Sequence, residues 1–188
     1  MQIARKESFF LYTLRGTGEF STFPFATGIS SRHTELMKRI LFVCLGNICR
    51  SPTAEAVFQS QVEQAGRKEE FELDSAGTIA AHAGSRADSR MREHAAQRGY
   101  KLTSISRKVT PEDFTTFTHI FAMDGENLSD LQSMAPKNSS AELSLFLSGD
   151  PQCTETDVPD PYYGGPQGFE TVLDLVESAC TAWLNRWS

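Results

Sequence analysis

The sequence contains no apolar run that approaches the roughly 18 residues needed to span a bilayer, so no segment is predicted to cross a membrane. It also lacks a basic excess, since 18 lysines and arginines stand against 24 aspartates and glutamates, for a formal net charge of -6. An acidic protein has no general attraction to nucleic acid or to an anionic membrane. Any phosphate-binding site must therefore be a local feature that acts against the overall charge.

Cysteine is scarce, with four residues in a chain of 188. A disulfide scaffold is small and dense in cysteine, so this class of protein is excluded. Reduced thiols in a cytoplasmic protein are predicted for Cys153 and Cys180. Cys44 and Cys49 fall together in one loop and require a separate explanation.

The chain divides at Met37, because residues 1–36 show no sustained helical or strand period. This N-terminal extension is interpreted as a disordered tail, or as the result of a translation start placed upstream of Met37. An organelle transit peptide is the alternative, although three glutamates weaken it. The apolar core Phe9–Tyr12 is too short for a secretory signal. Residues 37–188 are predicted to form one domain.

Strands and helices are predicted to alternate along this domain. Apolar, β-branched runs predict strands at Ile40–Val43, Phe71–Asp74, His119–Met123 and Leu143–Leu147. Helices are predicted from Pro52 with Ser51 as the N-cap, over residues 88–98, over residues 126–133, and in a long final segment. This order predicts an α/β, Rossmann-like fold with a four-stranded parallel sheet and helices on both faces. Ligands should bind at the carboxyl ends of its strands.

The segment Cys44–Pro52 joins the first predicted strand to the first predicted helix. Backbone N–H groups of a tight loop and of a helix N-terminus converge on one point and bind an anion. Gly46 permits turns that a side chain would forbid, and Arg50 offers a planar clamp for two phosphate oxygens. The same positive environment favours the thiolate form of Cys44, which could then attack phosphorus in line.

The string Cys-Leu-Gly-Asn-Ile-Cys-Arg-Ser-Pro, with Arg50 six positions after Cys44, closely resembles the low-molecular-weight protein-tyrosine phosphatase family, of phosphotyrosine phosphatase I type. The resemblance covers residues 37–187. It implies a cytoplasmic hydrolase that dephosphorylates phosphotyrosine-containing proteins through a phosphocysteine on Cys44. It implies no cofactor, no metal, no nucleic acid and no membrane partner. A tyrosine kinase would be its natural partner enzyme.

The second motif is Asp160-Pro161-Tyr162-Tyr163. Alone, Asp-Pro is usually only a turn. Together with the Cys44 loop it resembles the acid loop of the family, in which the acidic residue protonates the leaving phenolate and later activates water. The resemblance makes Asp160 the general acid and base, and it assigns Tyr162 and Tyr163 to the substrate cleft.

The resemblance also assigns supporting roles. Asn47 braces the phosphate loop, Ser51 donates to the Cys44 thiolate, and Ser75 joins the network that holds Asn47. Cys49 is the redox partner that forms a reversible disulfide with Cys44. The resemblance also places Leu45, Gly46, Ile48, Cys49 and Arg50 in the loop that binds the phosphate. It further matches Asp113, Phe114, Asp124 and Asn127, which are interpreted as architectural.

Two departures from the family pattern are visible. Ala81 stands where an aromatic residue commonly forms the cleft wall. His82 after it could partly substitute for that ring, but an exposed loop histidine is the favoured prediction. Ser104 stands where the family pattern has a histidine, which belongs to the hydrogen-bond network that braces Asn47 (the bracing network). These changes leave open which phosphoproteins are preferred and what the bracing network contacts.

Three other functions are alternatives. Arsenate reductase, on the same fold, needs a relay of downstream cysteines, but the first after Cys49 is Cys153. A protein-arginine phosphatase resembles this chain but has threonine in place of Ile48 and lacks the tyrosine pair. A non-catalytic phosphopeptide-binding module would be expected to lose Cys44 or Asp160. Phosphotyrosine hydrolysis therefore remains the predicted function.

Overall fold

The structure, a computed structural model, describes residues 37–188, and the interpretation of residues 1–36 lies outside the described residues. The strands are β1 (Lys38–Cys44), β2 (Phe71–Gly77), β3 (His119–Ala122) and β4 (Glu142–Leu145). The α-helices are α1 (Arg50–Gln64), α2 (Ser89–Gln97), α3 (Asp113–Thr116), α4 (Gly125–Met134) and α5 (Pro166–Arg186). Short 3-10 turns cover Lys68–Glu70 and Phe146–Gly149.

The four strands form one parallel sheet in the order β2-β1-β3-β4. This confirms the predicted fold class. β1 is central, and its last residue, Cys44, pairs with Gly77 at the carboxyl end of β2. The carboxyl ends of the strands therefore meet at one edge of the sheet, where ligands of such folds bind.

The apolar run in β1 is buried on both faces of the sheet because successive side chains point to opposite sides. Ile40 and Phe42 pack into a cluster with α1, α2 and α5. Leu41 and Val43 pack with Phe114 of α3 and Leu131 of α4. These four side chains of β1 are fully buried, which anchors the strand that leads into Cys44.

Helix α1 differs from its prediction, because it begins at Arg50 and not at Pro52. Its N-cap position is Cys49, which makes no side-chain capping bond, so the prediction of Ser51 as N-cap was wrong. The Ser51 hydroxyl instead lies 3.1 Å from the Cys44 sulfur and 3.3 Å from Ala76 O, and either of these atoms can accept its one proton. Because no side chain caps α1, the backbone N–H groups at its N-terminus stay free of side-chain partners on the side of the loop. Such free N–H groups can bind an anion.

Among residues 37–188, none of the helices combines the length and the apolar character required to cross a membrane. The final helix α5 follows the predicted pattern, since one face from Phe169 to Trp183 is buried. Its first turn begins at Pro166 and directly follows the segment that carries Asp160. The fold thereby brings the two sequence motifs to the same edge of the sheet.

Candidate active site

The loop from Cys44 to Arg50 wraps around the Cys44 sulfur. The backbone N–H of Asn47 donates to this sulfur at 3.2 Å, and the Ser51 hydroxyl lies 3.1 Å from it. Cys44 itself is only 3% exposed. Hydrogen-bond donors of this kind stabilise a sulfur anion, so the geometry suits a nucleophilic thiolate.

The left-handed turn of this loop falls on Asn47, with a φ of 53°, and not on Gly46 as expected from the sequence. Asparagine tolerates this region better than most residues because its side chain bonds locally. Gly46 instead provides space, since a Cβ there would lie 2.9 Å from the ring of His82. Close approach also explains Gly77, where a Cβ would meet Leu45 O at 2.7 Å.

A polar network behind the loop holds Asn47 in place. Its side-chain amide donates to the hydroxyls of Ser51 and Ser75, each at 2.9 Å. The amide oxygen accepts from the backbone N–H of Arg107 at 2.9 Å. Ser75 in turn donates to Glu55 of α1 at 2.5 Å. Every polar group of the Asn47 side chain is therefore satisfied, which stabilises its left-handed backbone.

Glu55 is the far end of this network. Burial raises the pKa of Glu55, while the Ser75 and Ser104 hydroxyls act to lower it and the nearby Asp74 acts to raise it. Ser104, which stands where the family pattern has a histidine, thus contacts Glu55 as a neutral hydrogen-bonding partner. The bracing network of this chain therefore ends on the carboxyl group of Glu55 and the hydroxyls of Ser75 and Ser104.

Arg50 is 3% exposed and carries carboxylates on two sides. Its Nη1 donates to Asp124 at 2.5 Å and to Val158 O at 3.1 Å, and its Nη2 donates to Asp160 at 3.2 Å. Burial acts to lower the pKa of Arg50, but the Cys44 sulfur, Asp124 and Asp160 outweigh it, and the pKa lies above its ordinary value. The guanidinium is consequently a permanent charge held in one orientation beside the loop.

Asp160 stands on the segment between Val158 and α5. Val158 is buried and donates its backbone N–H to Met123 O at 2.7 Å, which ties this segment to the end of β3. One Asp160 oxygen accepts from Arg50, and the other accepts from the backbone N–H of Tyr162 at 3.1 Å. The side chain is 42% exposed, so a ligand and solvent can reach it.

A cleft of about 340 Å³ opens above the Cys44 sulfur. It brings together most of the residues predicted from the sequence, whereas Asn47, Ser51 and Ser75 lie behind its wall in the bracing network. Its lining consists of Cys44, Leu45, Gly46, Ile48, Cys49, Arg50, Ile79, Ala81, His82, Asp160, Tyr162 and Tyr163. A thiol at the floor, a cation beside it and a carboxyl group at the rim allow attack, charge stabilisation and proton transfer in one space.

His82 corrects one prediction. It is partly buried and lines the cleft, with its ring over Gly46 and 6.4 Å from the ring of Tyr162. The expectation of an exposed loop histidine was wrong, because the chain between β2 and α2 folds back over the phosphate loop. With Ala81 beside it, this wall holds an imidazole in place of a large aromatic ring.

Three contributors to the site have roles that the sequence did not predict. Asp124 was assigned to architecture, yet its carboxylate binds Arg50 and also caps α4 through Asn127 N at 2.7 Å. Glu55 and Arg107, which complete the bracing network, carry no local motif at all. Only the match of Asp124 to the resembled family marked it, and nothing in the sequence connected it with Arg50.

No cluster of three or more histidine, cysteine, aspartate or glutamate side chains in the described part of the chain could hold a metal ion.

Comparison with known proteins was consistent across sequence and structure. The family model described as low molecular weight phosphotyrosine protein phosphatase matches residues 39–187. The low molecular weight phosphotyrosine protein phosphatase of Schizosaccharomyces pombe is 46% identical over 141 residues, which cover 74% of this chain and 90% of that protein.

Two solved structures are also similar. A protein tyrosine phosphatase from Entamoeba histolytica, with Hepes in its active site, superimposes with a TM-score of 0.77 and 43% identity, covering 80% of this chain and 96% of the other. An arginine phosphatase of Drosophila superimposes with a TM-score of 0.76 and 30% identity, covering 79% and 97%. The same scaffold therefore supports at least two phosphoamino-acid specificities.

Proposed function

The chain belongs to the low molecular weight phosphotyrosine protein phosphatase family, and we propose that it hydrolyses phosphotyrosine in proteins through a phosphocysteine on Cys44. The observation that carries this proposal is the cleft itself, where the Cys44 thiol, the Arg50 guanidinium and the Asp160 carboxyl group surround one space. The reaction is a phosphoric monoester hydrolysis and requires no cofactor or metal in this proposal.

In the first step the Cys44 thiolate attacks the phosphorus of phosphotyrosine. A sulfur–phosphorus bond forms as the bond from phosphorus to the phenolic oxygen breaks, and Asp160 donates its proton to that oxygen. Arg50 and the backbone N–H groups of residues 45–50 bind the three equatorial oxygens of the phosphoryl group. Free tyrosine on the substrate protein is the first product.

In the second step water attacks the phosphorus and the sulfur–phosphorus bond breaks. Asp160, now a carboxylate, accepts a proton from the water. Cys44 leaves as a thiolate, which the Ser51 hydroxyl and the Asn47 N–H stabilise. Inorganic phosphate is released and the enzyme returns to its starting state.

The supporting residues act through position. Asn47, Ser51 and Ser75 form the bracing network that keeps the loop N–H groups directed at one point. Leu45, Gly46, Ile48 and Cys49 supply backbone groups or walls of the cleft. Tyr162 and Tyr163 flank the entrance, and their rings make a T-shaped pair at 4.9 Å. An aromatic phosphoamino acid finds apolar and aromatic surface there.

The rival functions have weaker support. Among the described residues, neither remaining cysteine offers a relay for arsenate reduction, because Cys180 is fully buried in the core and Cys153 does not line the cleft. Phosphoarginine hydrolysis is the closer rival, given the similarity to an arginine phosphatase. Ile48 and Tyr162 on the cleft wall favour a phosphorylated aromatic ring over a guanidinium.

Specificity is tested by a parallel assay on phosphotyrosine, phosphoserine and phosphoarginine peptides of one sequence in metal-free buffer. We expect kcat/KM for the phosphotyrosine peptide to exceed the others by about 100-fold or more, because only the phenol ring fills the cleft and leaves easily as a protonated phenol. Release from phosphoarginine at an equal or higher rate would contradict the phosphotyrosine assignment.

We also propose a cytoplasmic location and a tyrosine kinase that supplies the phosphorylated substrate. A reducing compartment is supported by the four cysteines of the described residues, all of which are free thiols. Nucleic acid and membrane are not proposed as partners, since the acidic charge of the chain disfavours both.

Cys49 is proposed to protect the nucleophile from oxidation. Peroxide transfers an oxygen atom to the Cys44 sulfur, the Cys49 sulfur then attacks the sulfenic acid, and a disulfide forms with loss of water. Burial, followed by the charge of Asp88, raises the pKa of Cys49 to about 12. The attacking thiolate is therefore rare at neutral pH and becomes more abundant as the pH rises toward this pKa.

Disulfide closure after peroxide treatment should accordingly accelerate about tenfold per pH unit across the mildly alkaline range. The rate is measured by quenching with an alkylating agent and counting free thiols by mass spectrometry. Cys49→Ser should lose recoverable activity under excess peroxide, because Cys44 continues to the sulfinic acid. Full recovery of Cys49→Ser by a thiol reductant, or a closure rate independent of pH, would refute this role.

A further inference from the structure

Arg90 occupies the space between the start of α2 and the segment that carries Asp160. Its Nη1 donates to Tyr162 O at 3.2 Å. Its guanidinium also lies over two rings, 5.3 Å from that of Tyr162 and 5.1 Å from that of Phe169 in the first turn of α5. One side chain thus contacts the segment beside Asp160 through a hydrogen bond and through the faces of two aromatic rings.

The other edge of the same guanidinium is held by Asp88. Nε and Nη2 of Arg90 donate to the two Asp88 oxygens at 3.1 and 2.9 Å, and the Arg90 backbone N–H donates to Asp88 at 2.9 Å as well. The hydrogen bonds from Arg90 lower the pKa of Asp88, which remains a carboxylate. Bidentate pairing of this kind fixes the plane of the guanidinium.

Asp88 connects this pair to the phosphate loop. Its backbone N–H donates to Ile48 O at 2.8 Å, and its side chain caps α2. On the opposite side, Tyr162 N–H donates to Asp160 at 3.1 Å. The path from Ile48 through Asp88 and Arg90 to Tyr162 is therefore continuous, and it joins the phosphate loop to the segment beside Asp160 without passing through Arg50.

We infer that Arg90 is a positioning residue that sets where the Asp160 carboxyl group stands relative to the phosphate loop. The inference rests on the proposed function and adds a residue that touches neither the substrate phosphate nor the reacting atoms. Proton transfer to a leaving group depends steeply on placement, and a displacement of about 1 Å costs on the order of 100-fold in rate. The planar guanidinium of Arg90 can bind Asp88, donate to Tyr162 O and stack on the two aromatic rings at the same time. The ammonium group of a lysine cannot make all of these contacts.

The test compares Arg90→Ala and Arg90→Lys with wild type on aryl phosphates that range from nitrophenyl phosphate to phosphotyrosine. kcat/KM reports the step in which the phenol leaves, so it is the readout. Arg90→Ala should lower it about 10- to 100-fold for phosphotyrosine but less than about threefold for nitrophenyl phosphate, which needs little proton donation. Arg90→Lys should recover only part of this loss.

Two controls separate positioning from a structural role. Arg92→Ala removes an arginine of the same helix that donates to Ala87 O and does not line the cleft, and it should leave all rates unchanged. Inhibition by inorganic phosphate should be the same in Arg90→Ala and wild type, since the phosphate loop is intact. Because 45% of the Arg90 side chain is exposed, Arg90→Ala should fold. Arg90→Lys tests the same dependence on the leaving group with a smaller change of side chain.

The decisive measurement combines Arg90→Ala with Asp160→Ala. If Arg90 acts through Asp160, its removal should cost less than about twofold in the Asp160→Ala background. An equal loss for every leaving group, or an undiminished loss in the double variant, would overturn the inference. Failure of the proposed function is distinguishable, because the wild-type protein would then release no phosphate from phosphotyrosine in a Cys44-dependent manner.

Discussion

Cys44→Ser should lower phosphotyrosine hydrolysis by a factor on the order of 10⁴ or more while phosphate still binds. A serine hydroxyl is not ionised at neutral pH and is a poor leaving group, so both steps of the reaction lose their sulfur chemistry. The anion-binding groups remain, because Arg50 keeps its contacts with Asp124 and Val158 and the bracing network does not pass through the sulfur atom. Binding of inorganic phosphate should therefore stay within about threefold of wild type.

Steady-state kinetics and calorimetric titration with phosphate measure the two halves of this prediction. Cys153→Ser is the matched control, since it makes the same exchange at a partly exposed position that does not line the cleft. In wild type, acid quenching during turnover should trap phosphate on Cys44, and in Cys44→Ser it should trap none. Retained turnover in Cys44→Ser would remove Cys44 as the nucleophile and the phosphocysteine with it.

Asp160→Ala should reduce kcat/KM for phosphotyrosine by about 10²- to 10⁴-fold, the usual contribution of a general acid. The loss should be smaller for nitrophenyl phosphate, because a stabilised phenolate can leave without a proton. The Asp160 carboxyl group is 42% exposed and its removal leaves no buried charge uncompensated, since Arg50 retains Asp124. The fold should therefore survive and the defect should be chemical.

Asp157→Ala provides the comparison, at a carboxylate three positions before Asp160. Asp157 accepts from Gly125 N at 3.1 Å and lies outside the cleft lining, so its loss removes a carboxylate without touching the reaction. Stopped-flow release of the phenol separates the first step from phosphocysteine hydrolysis. If Asp160→Ala kept full activity on phosphotyrosine, or lost activity equally for all leaving groups, the acid and base assignment would be wrong.

Both experiments depend on features that the amino-acid sequence alone predicts. The run Ile40–Val43 predicts a buried strand, and the sheet buries it on both faces. The chain from Ile40 to Pro52 predicts a strand, a loop and a helix, and the structure has these three elements in that order. These predictions are accurate because each rests on a local pattern: side-chain alternation, chain length between elements, and a motif contained within ten residues.

The errors concern how side chains are used within those elements. Ser51 resembled an N-cap, but its hydroxyl turns to the Cys44 sulfur and to Ala76 of β2. His82 resembled an exposed loop residue, but its ring covers Gly46. In both cases the competing partner comes from another element, and such a partner leaves no trace in the local sequence.

The sequence by itself determined the order of strands and helices, the burial of β1 and the residue types at the phosphate loop and the acid loop. Only the tertiary structure decided which groups face each other. Arg50 binds Asp124 and Asp160, which lie 74 and 110 positions away, and Asn47 is held by Ser75 and by the Arg107 backbone. Hydrophobic periods are set by neighbours along the chain, whereas these contacts arise only when the sheet brings the ends of its strands together.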